Sequence, residues 1–482
     1  MVSIKKIVIF LFSLVVIASV FTACLKDKYE TPFDSGYPDD VNAIIIKKCA
    51  TAGCHNTTTA SGGLDFSTYD KMLKGNGTGA VVVPFRIDHS TLLFFTNTDS
   101  TQGTVLKPTM PVNAPPLTKA EYNVLKNWIT NGAPFKDGTI PFSGNPTRKK
   151  FYVVNQGCDL LSVFDADNRV IMRYYDVGLE KNISETPHKV IVSPDGKFFL
   201  VAFLNADVVQ MFSTVDESLI ANIPIGDGIS GNWNTLTISS DSKKAYSVDY
   251  DGGRIAYIDL VNKTSATTGS FGSQLHGIAL NATDDTLYVT QDQGNKLYII
   301  PVHDSTQYDD RNLRSLYPGT GILKIHEIVF SPDRSKYFIS CQNINQVWAF
   351  NAFNNQLLHV FDVAALPLEM AFSESTNKLF VTCQEATTFA DWKGALEVLD
   401  YVNMTTVTTI KVGWQPHGVA VDDVKGLVYV TNRNVSIDGP TPHHTTNCGR
   451  NGSLSTIDLH TLQVLPGSPE LSSDPYQVSI RH

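Results

Sequence analysis

The sequence predicts a multidomain chain, a small all-α domain followed by an all-β propeller of seven blades. Three observations carry that prediction. A helix with a marked start and stop closes the N-terminal part, one strand register recurs six times through the rest, and the two ends of the repetitive part are complementary pieces of one further repeat. At 482 residues the chain exceeds one ordinary domain. Its 25 Phe and 18 Tyr, against 18% charged residues, describe a β-rich protein able to bury a sizeable core. The formal charge of −9 and the lack of any Lys/Arg block argue against nucleic acid as a partner.

Residues 37–134 read as helical. Thr118-Lys119-Ala120-Glu121 is a capping box, Leu125, Trp128 and Ile129 form one apolar face, and Gly132 with Pro134 stops the helix. Its expected partner is a helix from Asp39 or Asp40 to Lys48. Residues 135–148, rich in Gly, Pro and Asp, read as a linker.

From residue 149 to 482 the chain reads as short strands. Pro187 to Ser193 aligns with Trp233 to Ser239, Leu275 to Asn281, Ile325 to Ser331, Pro367 to Ser373 and Pro416 to Asp422. Turns such as Ser193-Pro194-Asp195-Gly196-Lys197 follow, and then further strands, at a spacing that suits a four-stranded blade. Residues 150–178 hold the later strands of a blade without the first, and 474–482 hold a first strand without the rest. Pairing the two ends predicts a seventh blade and a ring with no open edge. Phe151-Tyr152-Val153-Val154-Asn155 and Val428-Tyr429-Val430-Thr431-Asn432 resemble the signature of YVTN-type propeller repeats.

The first 24 residues read as a processing segment. Lys5 and Lys6 precede an apolar run from Ile7 to Val20, and Phe21-Thr22-Ala23-Cys24 is a small-residue site ending in cysteine. That ending resembles a lipobox, although Phe21 stands where Leu is usual. The resemblance implies lipidation of Cys24, a tether over 25–36, membrane attachment through the lipid, and a mature chain in the bacterial cell envelope.

Cys49-Ala50-Thr51-Ala52-Gly53-Cys54-His55 resembles a c-type haem attachment site with four residues between the cysteines instead of two. Met110-Pro111, followed by Leu117 to Glu121 and Asn127 to Ala133, resembles the end of small bacterial cytochromes c. Together these imply one haem c on Cys49 and Cys54, with His55 as proximal and Met110 as distal iron ligand. With both axial positions filled, the implied role is to carry electrons to or from a redox partner protein. Met72 and His89 are the other side-chain donors in this part. A plain disulfide between Cys49 and Cys54 is the competing reading.

In the propeller one repeat position carries His188, Asn234, His276, His326, Leu368, His417 and Tyr476. These side chains are expected around one mouth of the central channel. A long loop on the same face carries His443, His444 and Cys448. Copper or zinc is one reading of these groups, and hydrogen bonding within each repeat is the other. Cys158 and Cys448 fall in loops of blades that become neighbours on ring closure, which allows a disulfide. Cys341 and Cys383 are expected as buried thiols.

No nucleophile elbow, phosphate loop or His-Glu-Xaa-Xaa-His motif is present. Electron carriage is thus the leading expectation. A substrate-oxidising enzyme with its site at the propeller mouth, and a binding propeller with a degenerate haem region, are the alternatives.

Overall fold

The computed structural model describes residues 34–481 apart from 77–78, 227, 229 and 435–447. Among these residues the β structure is seven four-stranded antiparallel sheets. We number the blades from the N-terminal side. Blade 1 joins Pro475–Arg481 to Lys150–Asn155, Leu160–Asp165 and Val170–Asp176, and blade 2 runs from Pro187–Val192 to Leu219–Pro224. The innermost strands of blades 3 to 7 are Trp233–Ile238, Leu275–Leu280, Ile325–Phe330, Pro367–Ser373 and Trp414–Asp422. Each innermost strand packs on those of both neighbouring blades, so the ring is continuous.

Burial explains the strand sequences. Second strands such as Phe198–Phe203 are buried on both faces and read as unbroken apolar and aromatic runs, and the equally buried Lys150–Asn155 has polar residues only at its two ends. Outermost strands such as Thr405–Ile410 are largely exposed and threonine-rich. The Ser-Pro-Asp type turns are held by their own side chains, with Ser193 Oγ donating to Asp195 Oδ1 at 2.7 Å and Ser331 Oγ to Asp333 Oδ1 at 2.6 Å.

The threonine of the repeat signature has a definite task. Thr290 Oγ1 accepts from Gly277 N at 2.7 Å within blade 4 and donates to His326 O at 2.8 Å in blade 5. Thr431 does the same for Gly418 N at 2.8 Å and Tyr476 O at 2.8 Å across the ring closure, and Thr382 donates to His417 O at 2.6 Å. One hydroxyl therefore satisfies a backbone donor left by the bulge in its own inner strand and a carbonyl of the next blade. The approach leaves no room for a side chain at residue 418, where an added Cβ would lie 2.4 Å from Tyr476 O.

The closing pair places Phe151 opposite Ile480 and Val153 opposite Val478. Beside it, Cys158 and Cys448 form a disulfide between blades 1 and 7, with Cα atoms 4.4 Å apart. Cys341 and Cys383 are buried free thiols.

The N-terminal segment contains four α-helices among the described residues: α1 (Asp39–Lys48), α2 (Tyr69–Leu73), α3 (Thr91–Thr96) and α4 (Lys119–Thr130). The capping box at Thr118 and Glu121 forms as the sequence predicts. α1 and α4 pack together, and Lys48 Nζ bridges them to Glu121 at 2.7 Å. Tyr37, Tyr69, Leu125 and Trp128 join in the core, and the polar ends of the aromatics find carbonyls, as in Trp128 Nε1 to Pro134 O at 2.9 Å.

Two corrections follow. Most of 37–134 is turn and loop around these helices, because glycine and proline interrupt the helical pattern. A separate all-α domain is not shown either: the segment has a core of its own, but Val83 is buried in the apolar cluster of blade 1, and Arg86 pairs with Asp176 of that blade at 3.1 Å.

The crowding at residue 418 predicts that Gly418→Ala destabilises the protein by about 1–3 kcal/mol. Gly269→Ala, where an added Cβ meets nothing within 4 Å, serves as the control. Urea melts that leave the two variants equally stable would refute the packing account.

Candidate functional site

Cys49 follows directly on α1, and its N–H still bonds Ile45 O at 2.9 Å. The chain then folds back: Cys54 N donates to Thr51 O at 3.0 Å and His55 N to Cys49 O at 3.1 Å. Gly53 takes φ +81° to make this turn. The four residues between the cysteines are thus taken up as a compact loop, and both thiols and the imidazole face one cavity.

That cavity has a volume of about 1000 Å³, the upper end of the range for ligand pockets, and Met110 also lines it. All four residues expected to hold a haem therefore meet at one place. His55 Nδ1 lies 3.0 Å from Ser61 O and its ring stacks on Phe66 at 4.7 Å. With Nδ1 engaged by a carbonyl, Nε2 keeps a lone pair suited to a metal. Met110 is anchored through its N–H to Phe95 O of α3 at 2.7 Å. Met72 is fully buried on α2 in the core and does not reach the cavity, which removes it as a donor.

Cys49 and Cys54 are free thiols rather than a disulfide. Burial pushes the Cys49 thiol up to about 12, with the neighbouring Cys54 adding to the shift and Lys48 opposing it. Among the described residues Lys48 and Arg450 are the two Lys or Arg residues on the cavity wall, and both have carboxylate partners, Glu121 at 2.7 Å and Glu470 at 2.6 Å. A largely apolar cavity with two thiols, two imidazoles, a thioether and two cations suits a porphyrin with two propionates.

The propeller supplies the facing wall, which the sequence did not reveal. Ile171 and Tyr174 come from blade 1, Trp392 from blade 6, and Trp414, Arg450 and Glu470 from blade 7. Trp392 and Trp414 stack at 4.1 Å, and Arg450 lies over Phe94 of α3 at 4.4 Å. These residues come from loops and strand ends of three blades, a placement with no spacing signature.

The repeat-position side chains do gather at the channel. His276 and His326 have ring centroids 3.7 Å apart, His417 stacks on Tyr476 at 3.5 Å, and His188 meets Tyr476 at 4.2 Å. Asn234 and Leu368 are buried at their places in the ring. His326 Nδ1 lies 3.6 Å from Asp292 Oδ1. Among the described residues no group of three or more His, Cys, Asp or Glu is arranged to hold a metal ion. The copper or zinc reading loses Cys448 to the disulfide, and the imidazoles pack ring against ring. His443, His444 and Cys24 lie outside the described residues.

One layer deeper, Lys189 lies 3.6 Å from Glu327 and 3.4 Å from Glu369. Burial, reinforced by Glu369, pushes the Glu327 carboxyl upward, against the pull of Lys189.

No protein-family model matches the sequence, and no curated protein matches it. Solved structures share the fold. The 6-phosphogluconolactonase candidate of Bacteroides uniformis ATCC 8492 is 12% identical, with a TM-score of 0.52 over 69% of this chain and 100% of its own. That of Bacteroides fragilis NCTC 9343 is 13% identical, with a TM-score of 0.51 over 70% and 99%. Kuenenia stuttgartiensis hydrazine synthase is 15% identical, with a TM-score of 0.48 over 61% and 95%. At 12% and 13% identity the likeness to the two lactonase candidates is one of fold alone, a seven-bladed propeller.

Two outcomes are expected. In the haem-free folded protein at pH 8, burial keeps the Cys49 thiol protonated, so iodoacetamide should label the less buried Cys54 well before Cys49, and both equally in urea. Equal native labelling would contradict the buried position of Cys49. For Glu327, the folded carboxyl holds its proton more tightly than the unfolded one, so its contribution falls as pH rises above the unfolded carboxyl range. Glu327→Gln should flatten the decline in stability between about pH 5 and 8, and an unchanged slope would assign the decline elsewhere.

Proposed function

We propose that the chain is an exported, lipid-anchored c-type cytochrome that carries electrons through one covalently held haem. The observation that carries this reading is the convergence of Cys49, Cys54, His55 and Met110 on one apolar cavity. Cys49 and Cys54 would add their thiols to the two vinyl groups. His55 would ligate the iron through Nε2, its ring fixed by Ser61 O and Phe66. Met110 would supply the thioether on the distal side. A haem so held supplies a one-electron iron couple, and sulfur ligation raises its potential.

The remaining work belongs to the protein. Leu64, Phe66, Val81, Leu92 and Phe95 give the cavity an apolar wall that would shield the haem, while Lys48 and Arg450 would offer positive charge to the propionates. With His55 and Met110 both given to the iron, no position would be left for substrate, which would favour electron carriage over oxygen chemistry. The disulfide between Cys158 and Cys448 suits an oxidising compartment, in keeping with the proposed leader cleaved before Cys24. The propeller would then serve as the docking scaffold for a redox partner protein.

The test is a pyridine haemochrome spectrum on protein made with a c-type maturation system, after acid-acetone extraction of loose haem. Retention of one haem per chain is expected, with a blue-shifted α-band if both thiols are used. Cys49→Ala/Cys54→Ala should retain none. A wild-type chain that also retains none refutes the proposal.

A further inference from the structure

The cavity holds a second imidazole that the proposed site leaves unused. His89 precedes α3 and lines the same cavity as His55 and Met110. Its side chain is only 8% exposed, and its Nδ1 lies 3.2 Å from Asp88 Oδ2. Asp88 is in turn gripped by Arg86, whose Nε and Nη2 donate to its two oxygens at 3.0 and 2.8 Å. From the other side, the His89 ring packs on Tyr174 of blade 1 at 4.1 Å, and Arg86 reaches Asp176 on the same strand. The imidazole is thus clamped between a carboxylate of its own segment and an aromatic ring of the propeller.

Both of its ring nitrogens are buried, and neither makes a hydrogen bond among the described residues. Buried polar atoms are rarely left so, and two of them on one residue that lines a cavity point to a ligand. A carboxylate beside Nδ1 favours the proton on that nitrogen, which leaves the Nε2 lone pair available. A carboxylate behind an imidazole is the arrangement that orients histidine toward a metal. Met110, by contrast, sits half-buried on irregular chain.

We propose that His89 is a second distal donor, whose Nε2 takes the sixth position of the iron whenever Met110 leaves it. The exchange breaks an iron–sulfur bond and forms an iron–nitrogen bond. The thioether departs neutral, the proton stays on Nδ1, and no electron is transferred. Imidazole in place of thioether lowers the reduction potential, so the exchange would set two potentials in one protein. The propeller takes part through Tyr174, which holds His89 in place. This inference rests on the haem reading above.

The test uses the full chain matured with haem c, in three forms: unsubstituted, Met110→Ala, and Met110→Ala/His89→Gln. Glutamine keeps much of the volume of the imidazole while being a poor iron ligand. Met110→Ala is expected to stay low-spin by optical and electron paramagnetic resonance spectra, at a lower potential than the parent. The double variant is expected to become high-spin. A high-spin spectrum in Met110→Ala itself overturns the proposal.

A second measurement leaves Met110 intact. Carbon monoxide should bind reduced His89→Gln roughly tenfold faster than the unsubstituted protein, because one competitor for the vacated position is gone. Equal rates would overturn the proposal. Haem retained together with either contrary result refutes the exchange alone, whereas absence of covalent haem refutes the reading of the site and the exchange with it.

Discussion

The pairing of Pro475–Arg481 with Lys150–Asn155 is the contact on which the rest of the architecture depends. It joins residues from opposite ends of the repetitive chain, and without it both blade 1 and the ring would be open. Closure also decides where the N-terminal segment can go. That segment runs straight into the first strand of the propeller, and the connection is pinned by Arg173 Nη2 to Pro141 O at 2.6 Å and by Arg148 to Asp165. Little freedom remains. The helices are held against the seam of blades 1 and 7, where Val83 enters the blade 1 core and Arg450 covers Phe94.

The cavity is a product of that seam. Neither the helical segment nor the propeller encloses it alone: α1 and the loop after it carry the thiols and His55, the chain after α3 carries Met110, and three blades complete the wall. The disulfide between Cys158 and Cys448 joins blade 1 to the stretch just before Arg450, so the covalent link and the cavity wall share one piece of chain. A redox partner docking on blade 6 or 7 would touch residues that also face the proposed haem. Coupling between docking and potential needs no long path in such a design.

Much of this was legible in the sequence, for physical reasons. Strands buried on both faces must be apolar throughout, so their register could be read from Phe198 to Phe203 or Leu427 to Thr431. The bulge and its bridging threonine recur because each blade meets the next in the same way, and the ring position of His188 and its counterparts follows from that repeat. The capping box at Thr118 is local, and local patterns survive in sequence. The cavity wall is the opposite case. Tyr174, Trp392, Trp414 and Arg450 become neighbours only when distant blades close on the helices, and nothing in their spacing foretells it. The helical extent was overread because glycine and proline between the helices break the pattern into pieces too short for periodicity to resolve.

The channel and the seam show why similar residues carry different chemistry. In the channel, His188, His276, His326 and His417 are packed ring to ring and against Tyr476, so their apolar faces are spent on one another. In the seam, His55 and His89 each have one nitrogen beside a fixed oxygen and the ring face on a single aromatic, Phe66 or Tyr174. An imidazole oriented in this way keeps its second nitrogen for something else. His326 shares that feature, its Nδ1 lying 3.6 Å from Asp292 Oδ1, so what sets the seam apart is the cavity that His55 and His89 line together with two thiols and a thioether. A lone pair needs open space beside it before it can take a metal, and the seam is where such space adjoins these donors.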